Sequence, residues 1–240
     1  MTEHGKKYQT AVKQLDPNMA YAPEQALELA KQVHYAGFDE TVELHLRMGL
    51  DPRNSAHQIR GIALLPHGLG KKIRILVFAQ GEAARAAQSA GADFVGGDEM
   101  VKKIEEGWLD FDTAIATPDM MGKVGKLGKI LGRRGLMPNP KSGTVVAAAD
   151  LSRVIEDARK GRVEFKLDRT AIIHLTLGKT SFDTRKLLEN LATVIDAIVK
   201  AKPAGVKGIY IHTATIATTM GPGIRMDLKL TVELTPGLTG

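Results

Sequence analysis

Polar and apolar positions change period several times along the chain. In PEQALELAKQVHY, Ala26, Leu27, Ala30 and Val33 recur at spacings of three and four behind Pro23, which predicts an amphipathic helix with proline in its first turn. TVELHLRMGL alternates instead. Val42, Leu44, Leu46 and Met48 share one side and Thr41, Glu43, His45 and Arg47 the other, as in a strand with one wet face. RGIALLP reads as a second strand. After PHGLGK the texture shifts: IRILVFA is apolar throughout, as in a strand covered on both faces, and EAARAAQSAG, ADFVG, DEMVKKIEEGW and FDTAIATP follow as helix, strand, helix, strand. ADLSRVIEDARKG closes this unit with a helix. Beyond RKGR the first texture returns. RVEFKLD and TAIIHLTLG read as adjacent strands, DTRKLLENLATVIDAIVKAKP as a long helix stopped by Pro203, and GIYIHTATIATTMG as a strand. IRMDLKLTVEL alternates once more, with Ile224, Met226, Leu228, Leu230 and Val232 on one side.

These patterns predict an α/β chain of two domains. A split α+β domain, residues 1–67 and 160–240, holds an inserted doubly wound α/β domain, residues 68–159, with glycine-marked crossings near Gly68/Gly70 and Gly161. The alternative is one continuous α/β domain.

Charge adds a partner class. The 240 residues carry a net charge of +6 and a sequence pI near 9.4, which suits an anionic partner, nucleic acid before a membrane surface. The insert holds 14 basic and 12 acidic residues, so any nucleic-acid face must be a local patch. One such patch is MMGKVGKLGKILGRRGLMPNPKSGTV. Lys123, Lys126, Lys129, Arg133, Arg134 and Lys141 lie among Gly122, Gly125, Gly128, Gly132 and Gly135, with no acid between. The segment 121–141 reads either as a bendable backbone that follows phosphates or as a mobile, solvated loop. Aromatic residues make up only 5%, which favours folded RNA read by shape and backbone over stacking on unpaired bases. With no apolar leader in MTEHGKKYQTAVKQL and no run near 18 apolar residues, the chain is expected to be soluble and cytoplasmic, without a membrane partner.

Catalytic chemistry finds little support. There is no cysteine for thiol catalysis, disulfides or cysteine-ligated zinc. Each Gly-Lys of the basic stretch is followed by Val, Leu or Ile, not the Ser or Thr of a phosphate-binding loop, and GLGKKI precedes a strand where a dinucleotide loop needs a helix. The five serines lie outside any G-x-S-x-G elbow, and the seven histidines lack ligand spacing. Asp110 and Asp112 flank Phe111 at strand spacing, the one arrangement open to a metal, but other ligands are missing. No cofactor and no metal are expected. The rival reading is a nucleotide-using enzyme built on the doubly wound insert.

GKLGKILGRRGLMPNPKSGTV closely resembles the signature of the large-subunit ribosomal protein one family, which forms the mobile stalk beside the tRNA exit site. HGKKY, FDETVELHLRMGLDPR, IRGIALLPHGLGK, AGADFVGG, GWLDFDTAIATPDMM and TTMGPGIR follow in family order from His4 to Arg225, in a bacterial wording. The resemblance implies a split domain with a Rossmann-like insert on a hinge and no enzymatic activity. It implies binding to large-subunit rRNA, help in releasing deacylated tRNA from the exit site, and repression of the protein's own operon mRNA. A ribosome-bound protein that is monomeric off the ribosome is expected. Carried over by motif, the RNA contacts fall on Phe38, Thr41, Arg53, Thr218, Thr219, Met220 and Gly221, with Asp168 and His174 beside them; the six cations of the glycine-rich stretch make a secondary contact. Thr-Thr-Met-Gly offers hydroxyls and a close-approach glycine for ribose 2′-OH groups, or is a plain strand end with Met220 in the core. Two departures stand out: Gly37 replaces a Lys frequent in the family, and LKLTVELTPGLTG runs past the usual end.

Overall fold

The protein is described by a computed structural model covering residues 5–203, 206 and 208–234. It divides into two compact units, residues 1–70 with 163–240 and residues 71–162, so each crossing falls three residues later than expected. The first unit opens with helices α1 (Lys6–Val12) and α2 (Pro23–Val33) and strands β1 (Thr41–Met48) and β2 (Arg60–Leu64). The second contains β3 (Ile75–Phe78), α3 (Gly81–Ser89), β4 (Phe94–Gly96), α4 (Asp98–Glu105), β5 (Thr113–Ala116), the short α5 (Met121–Val124) and α6 (Gly128–Leu131), and α7 (Leu151–Gly161). The first unit is completed by β6 (Arg162–Lys166), β7 (Ile172–Lys179), α8 (Thr184–Lys200), β8 (Ile211–Thr218), β9 (Ile224–Met226) and α9 (Leu228–Val232).

In the first unit β1 lies inside an antiparallel sheet of order β7-β1-β8-β9. Val42, Leu44, Leu46 and Met48 are buried, as the alternation requires, with Ala26, Leu27 and Ala30 of α2 and Leu187, Leu191, Val194 and Ile195 of α8. Each such large apolar side chain contributes about 1.5–3 kcal/mol over its exposed state. Asn190, fully buried within α8, donates to the carbonyls of Leu177 (2.7 Å) and Gly68 (3.1 Å) and accepts the His67 N–H (3.1 Å), which leaves its amide satisfied and ties down the chain before the first crossing.

Two expectations in this unit are corrected. RVEFK and the strand after it are neighbours in sequence only. β6 joins β2 in a separate two-stranded sheet, with an ion pair between Arg60 and Glu164, while β7 enters the four-stranded sheet. The turn between them is held by Asp168, whose carboxylate accepts the N–H groups of Thr170 (2.8 Å) and Ile172 (2.7 Å). The alternation from Ile224 to Val232 does not make one strand either. The Asp227 carboxylate caps the N–H groups of Lys229 and Leu230, so β9 ends at Met226 and α9 begins. Thr231 is then buried, whereas Leu230 and Val232 are exposed. Of the tail, residues 235–240 lie outside the described residues.

The second unit is a parallel sheet of order β4-β3-β5. Its central strand is buried on both faces: Leu76 and Phe78 pack with α4, Ile75 and Val77 with α3 and α7. The glycine-basic stretch is not a bendable loop. Residues 118–134 form consecutive helical turns, and Met120, Val124, Leu127 and Leu131 fall on one side and are buried against β3 and α4. Lys126, Lys129 and Arg133 occupy the opposite sector at helical spacing. Gly122, Gly125, Gly128 and Gly132 have no neighbouring atom within 4 Å of where a Cβ would stand, so internal packing does not demand them. Asp110 and Asp112 are taken up by cations: Arg74 pairs with both, and Lys71 reaches Asp112 at 2.6 Å.

Candidate nucleic-acid interface

Two acids shape one end of the four-stranded sheet. Glu40 precedes β1 with the same parity as Val42 and Leu44, so its side chain turns inward, and it is fully buried. Its carboxylate accepts the N–H groups of Tyr35 (3.2 Å), Ala36 (2.9 Å) and Met220 (2.9 Å). Burial alone would raise its pKa; these bonds and the Thr218 hydroxyl outweigh burial and hold it below the ordinary value. Asp39 faces the other way and accepts from the Thr180 hydroxyl (2.9 Å), the Ser181 N–H (3.0 Å) and the Ser181 hydroxyl (2.8 Å). Burial opposes ionisation here too, and the Ser181 and Thr180 bonds with the Lys179 charge override it, leaving the carboxyl below its usual range.

These anchors decide what is presented. Phe38 sits beside Asp39 and is 55% exposed. Met220 is 50% exposed, which settles the choice left open by sequence: it is not a core residue. The Tyr35 hydroxyl donates to the Met220 carbonyl (2.6 Å), fastening the turn a second time. The two hydroxyls of TTMG are not equivalent. Thr218 is buried and its Oγ1 accepts the Gly221 N–H (3.1 Å), whereas Thr219 is exposed. A Cβ on Gly221 would stand 2.3 Å from Thr218 Oγ1, so only glycine fits. Thr219 Oγ1 accepts the Thr41 N–H (2.9 Å), and the Thr219 N–H donates to the Thr41 carbonyl (3.1 Å), joining the turn to the start of β1. Lys179 places its ammonium 2.9 Å from Thr41 Oγ1.

Six of the nine expected residues thus meet at one sheet end: Phe38, Thr41, Thr218, Thr219, Met220 and Gly221. His174 lies mid-sheet, opposite His45. Asp168 precedes β7 and Arg53 follows β1, so both lie toward the far end, roughly 20–25 Å along the strand from Thr41. Sequence reasoning missed Glu40, Lys179 and Tyr35. Only Glu40 carried a signal, an acid on the apolar side of an alternating strand.

The basic segment is described within its own unit. Lys123 is engaged by Asp98 at 2.7 Å. Lys126, Lys129, Arg133, Arg134 and Lys141 are exposed, with no ion pair to them among the described residues. Among those residues no group of His, Asp or Glu is arranged to hold a metal, and no helix is long and apolar enough to cross a membrane.

Comparison with known proteins decides the affiliation: a model of the ribosomal protein L1p/L10e family matches residues 29–222. The chain belongs to the ribosomal protein L1p/L10e family. It is 67% identical over 229 residues to the large ribosomal subunit protein uL1 of Dehalococcoides mccartyi strain CBDB1, covering 95% of this chain and 97% of that one. The proteins of the same name from Thermomicrobium roseum and Chloroflexus aurantiacus strain J-10-fl are each 54% identical, the former over 97% of both chains, the latter over 95% of this chain and 96% of its own. Membership makes the chain a structural, non-enzymatic constituent of the cytoplasmic ribosome that binds rRNA. The enzyme reading is set aside.

Proposed function

We propose that the first unit makes the main contact with large-subunit rRNA at the mobile stalk, through Phe38, Thr41, Thr218, Thr219, Met220 and Gly221, with His174, Asp168 and Arg53 extending it along the sheet. The observation that carries this is the buried Glu40 carboxylate. It binds the backbone on both sides of the site and leaves Phe38 and Met220 half exposed, so each forgoes part of the about 1.5–3 kcal/mol that full burial gives and that a partner can restore. The exposed hydroxyl and close-approach glycine suit ribose edges in a shallow minor groove. Lys179 supplies a cation at Thr41. The basic segment 121–141 makes a secondary rRNA contact from the second unit. In the cell the protein assists release of deacylated tRNA from the exit site and represses its own operon mRNA through the first unit's surface, as a monomer when off the ribosome.

The salt dependence of rRNA binding tests the phosphate share. With roughly 5–8 phosphates contacted, log K is expected to fall with log[salt] at a slope of about −4 to −7, at ~0.9 per phosphate. A flat response in filter binding would rule out a phosphate-led interface.

The division of labour has its own test. Replacing Lys126, Lys129 and Arg133 by Gln is expected to weaken rRNA binding modestly and to make that slope shallower, by ~0.9 for each phosphate no longer neutralised. Binding of the operon mRNA, which would mimic only the first unit's target, is expected to hold. An equal weakening for both RNAs would make the segment part of the primary site.

A further inference from the structure

On the wet face of the four-stranded sheet His174 of the proposed contact is paired with a second imidazole, His45, to which that contact assigns no role. In the register of the strands His45 lies opposite His174 on one side and Thr215 on the other, and Thr215 lies opposite Arg225. The two imidazoles meet edge to face, with centroids 5.0 Å apart and Nδ1 atoms separated by 2.8 Å. At that distance one Nδ1 must carry a proton and the other accept it. The Nε2 atoms point outward from the shared bond. His45 Nε2 is 3.7 Å from Glu43, and His174 Nε2 is 3.6 Å from Asp168.

This geometry restricts the pair to two useful states. In the neutral pair one Nε2 is a donor and the other an acceptor. Taking up one proton from solvent makes both Nε2 atoms donors and keeps the central hydrogen bond. A second proton would place hydrogens on both Nδ1 atoms and break it. The pair therefore exchanges one proton at a time.

We propose that His45 and His174 together form a one-proton phosphate contact within the rRNA interface, taking up a proton as the RNA backbone settles on the sheet face. The proposal rests on the reading of this surface as the rRNA contact. The charged groups facing the pair are Glu43 and Arg47 from β1, Asp168 from the turn before β7, and Arg225 from β9; β8 contributes only Thr213, Thr215 and Ala217 to this face. Burial and the neighbouring His174 hold His45 below the ordinary imidazole value against the pull of Glu43, so His45 by itself resists protonation. An arriving phosphate reverses that balance. It adds negative charge beside Nε2 atoms that become donors only on protonation.

The experiment is filter binding of deproteinised large-subunit rRNA to the full chain from pH 6 to 8.5 at fixed ionic strength. The wild type, His45→Gln, His174→Gln and Thr219→Val are compared, each first checked by thermal unfolding. Wild-type affinity is expected to fall as pH rises, by about tenfold across the range and never more than tenfold per pH unit, because one proton is exchanged. Both histidine variants are expected to flatten the profile, and Thr219→Val is expected to weaken binding while keeping the slope. A flat wild-type profile, or a histidine variant that keeps the slope while Thr219→Val weakens binding, overturns the paired contact and leaves the surface standing. If all three variants bind like the wild type at every pH, the surface itself is not the contact.

Discussion

Glu40→Ala is expected to destabilise the first unit by roughly 3–5 kcal/mol and to weaken rRNA binding together with it. The carboxylate is fully buried and accepts three backbone N–H groups, from Tyr35, Ala36 and Met220. Each of these part-buried donors left without an acceptor costs up to about 1–3 kcal/mol, and water entering the space recovers part of the sum. Glu40→Gln, which keeps one oxygen and the side-chain volume, is expected to lose less. Urea unfolding at pH 7 reads the difference. The pH dependence has a definite sign. The folded-state pKa lies below the ordinary 4.5, so this stabilisation is complete above that value and is lost as pH falls through the lower folded value. Wild-type stability should therefore drop more steeply than that of Glu40→Gln below pH 4.5. Parallel curves would show that the carboxylate's charge contributes nothing.

Thr219→Val should weaken rRNA binding by roughly five- to 150-fold, or about 1–3 kcal/mol. Valine keeps the shape and β-branching, so packing is preserved, but two things vanish: the only exposed hydroxyl of the turn, and the acceptor of the Thr41 N–H at 2.9 Å. Without that acceptor the start of β1 loosens directly beside Phe38. Met220→Ala removes an apolar surface of comparable worth and leaves the Glu40 bond to its backbone intact. If the operon mRNA uses the same surface, both variants must weaken both RNAs by similar factors. Filter binding of the two RNAs at one salt concentration decides it, and a variant that spares either RNA refutes the shared surface.

Where period and composition agreed, the sequence alone was sufficient. The alternation of Thr41 to Met48 sets which face of β1 is wet, because side chains on a strand can only alternate. The unbroken apolar run at Ile75–Phe78 sets a strand covered on both faces, because nothing polar is available to face water. The family motifs named the chain's kind, and composition removed thiol chemistry.

Tertiary structure decided the rest, for identifiable reasons. Glycine every third or fourth residue costs a helix about 1 kcal/mol per position, so local propensity pointed to a loop in residues 121–134. Burying Met120, Val124, Leu127 and Leu131 against β3 and α4 outweighs that cost. The alternation after Ile224 pointed to a strand, until the side chain of Asp227 offered two N–H groups an acceptor and turned the chain into a helix. Adjacency in sequence could not tell that β6 pairs with β2 while β7 pairs with β1, since strand pairing is a long-range choice made by the shared core. The site shows the same division. FDET and TTMG were legible as words, but they lie 180 residues apart. Only the antiparallel pairing of β1 with β8 brings the Glu40 carboxylate of FDET to the Met220 N–H of TTMG; the parity of Glu40 marked it as an inward acid, but nothing in spacing named the distant backbone that satisfies it.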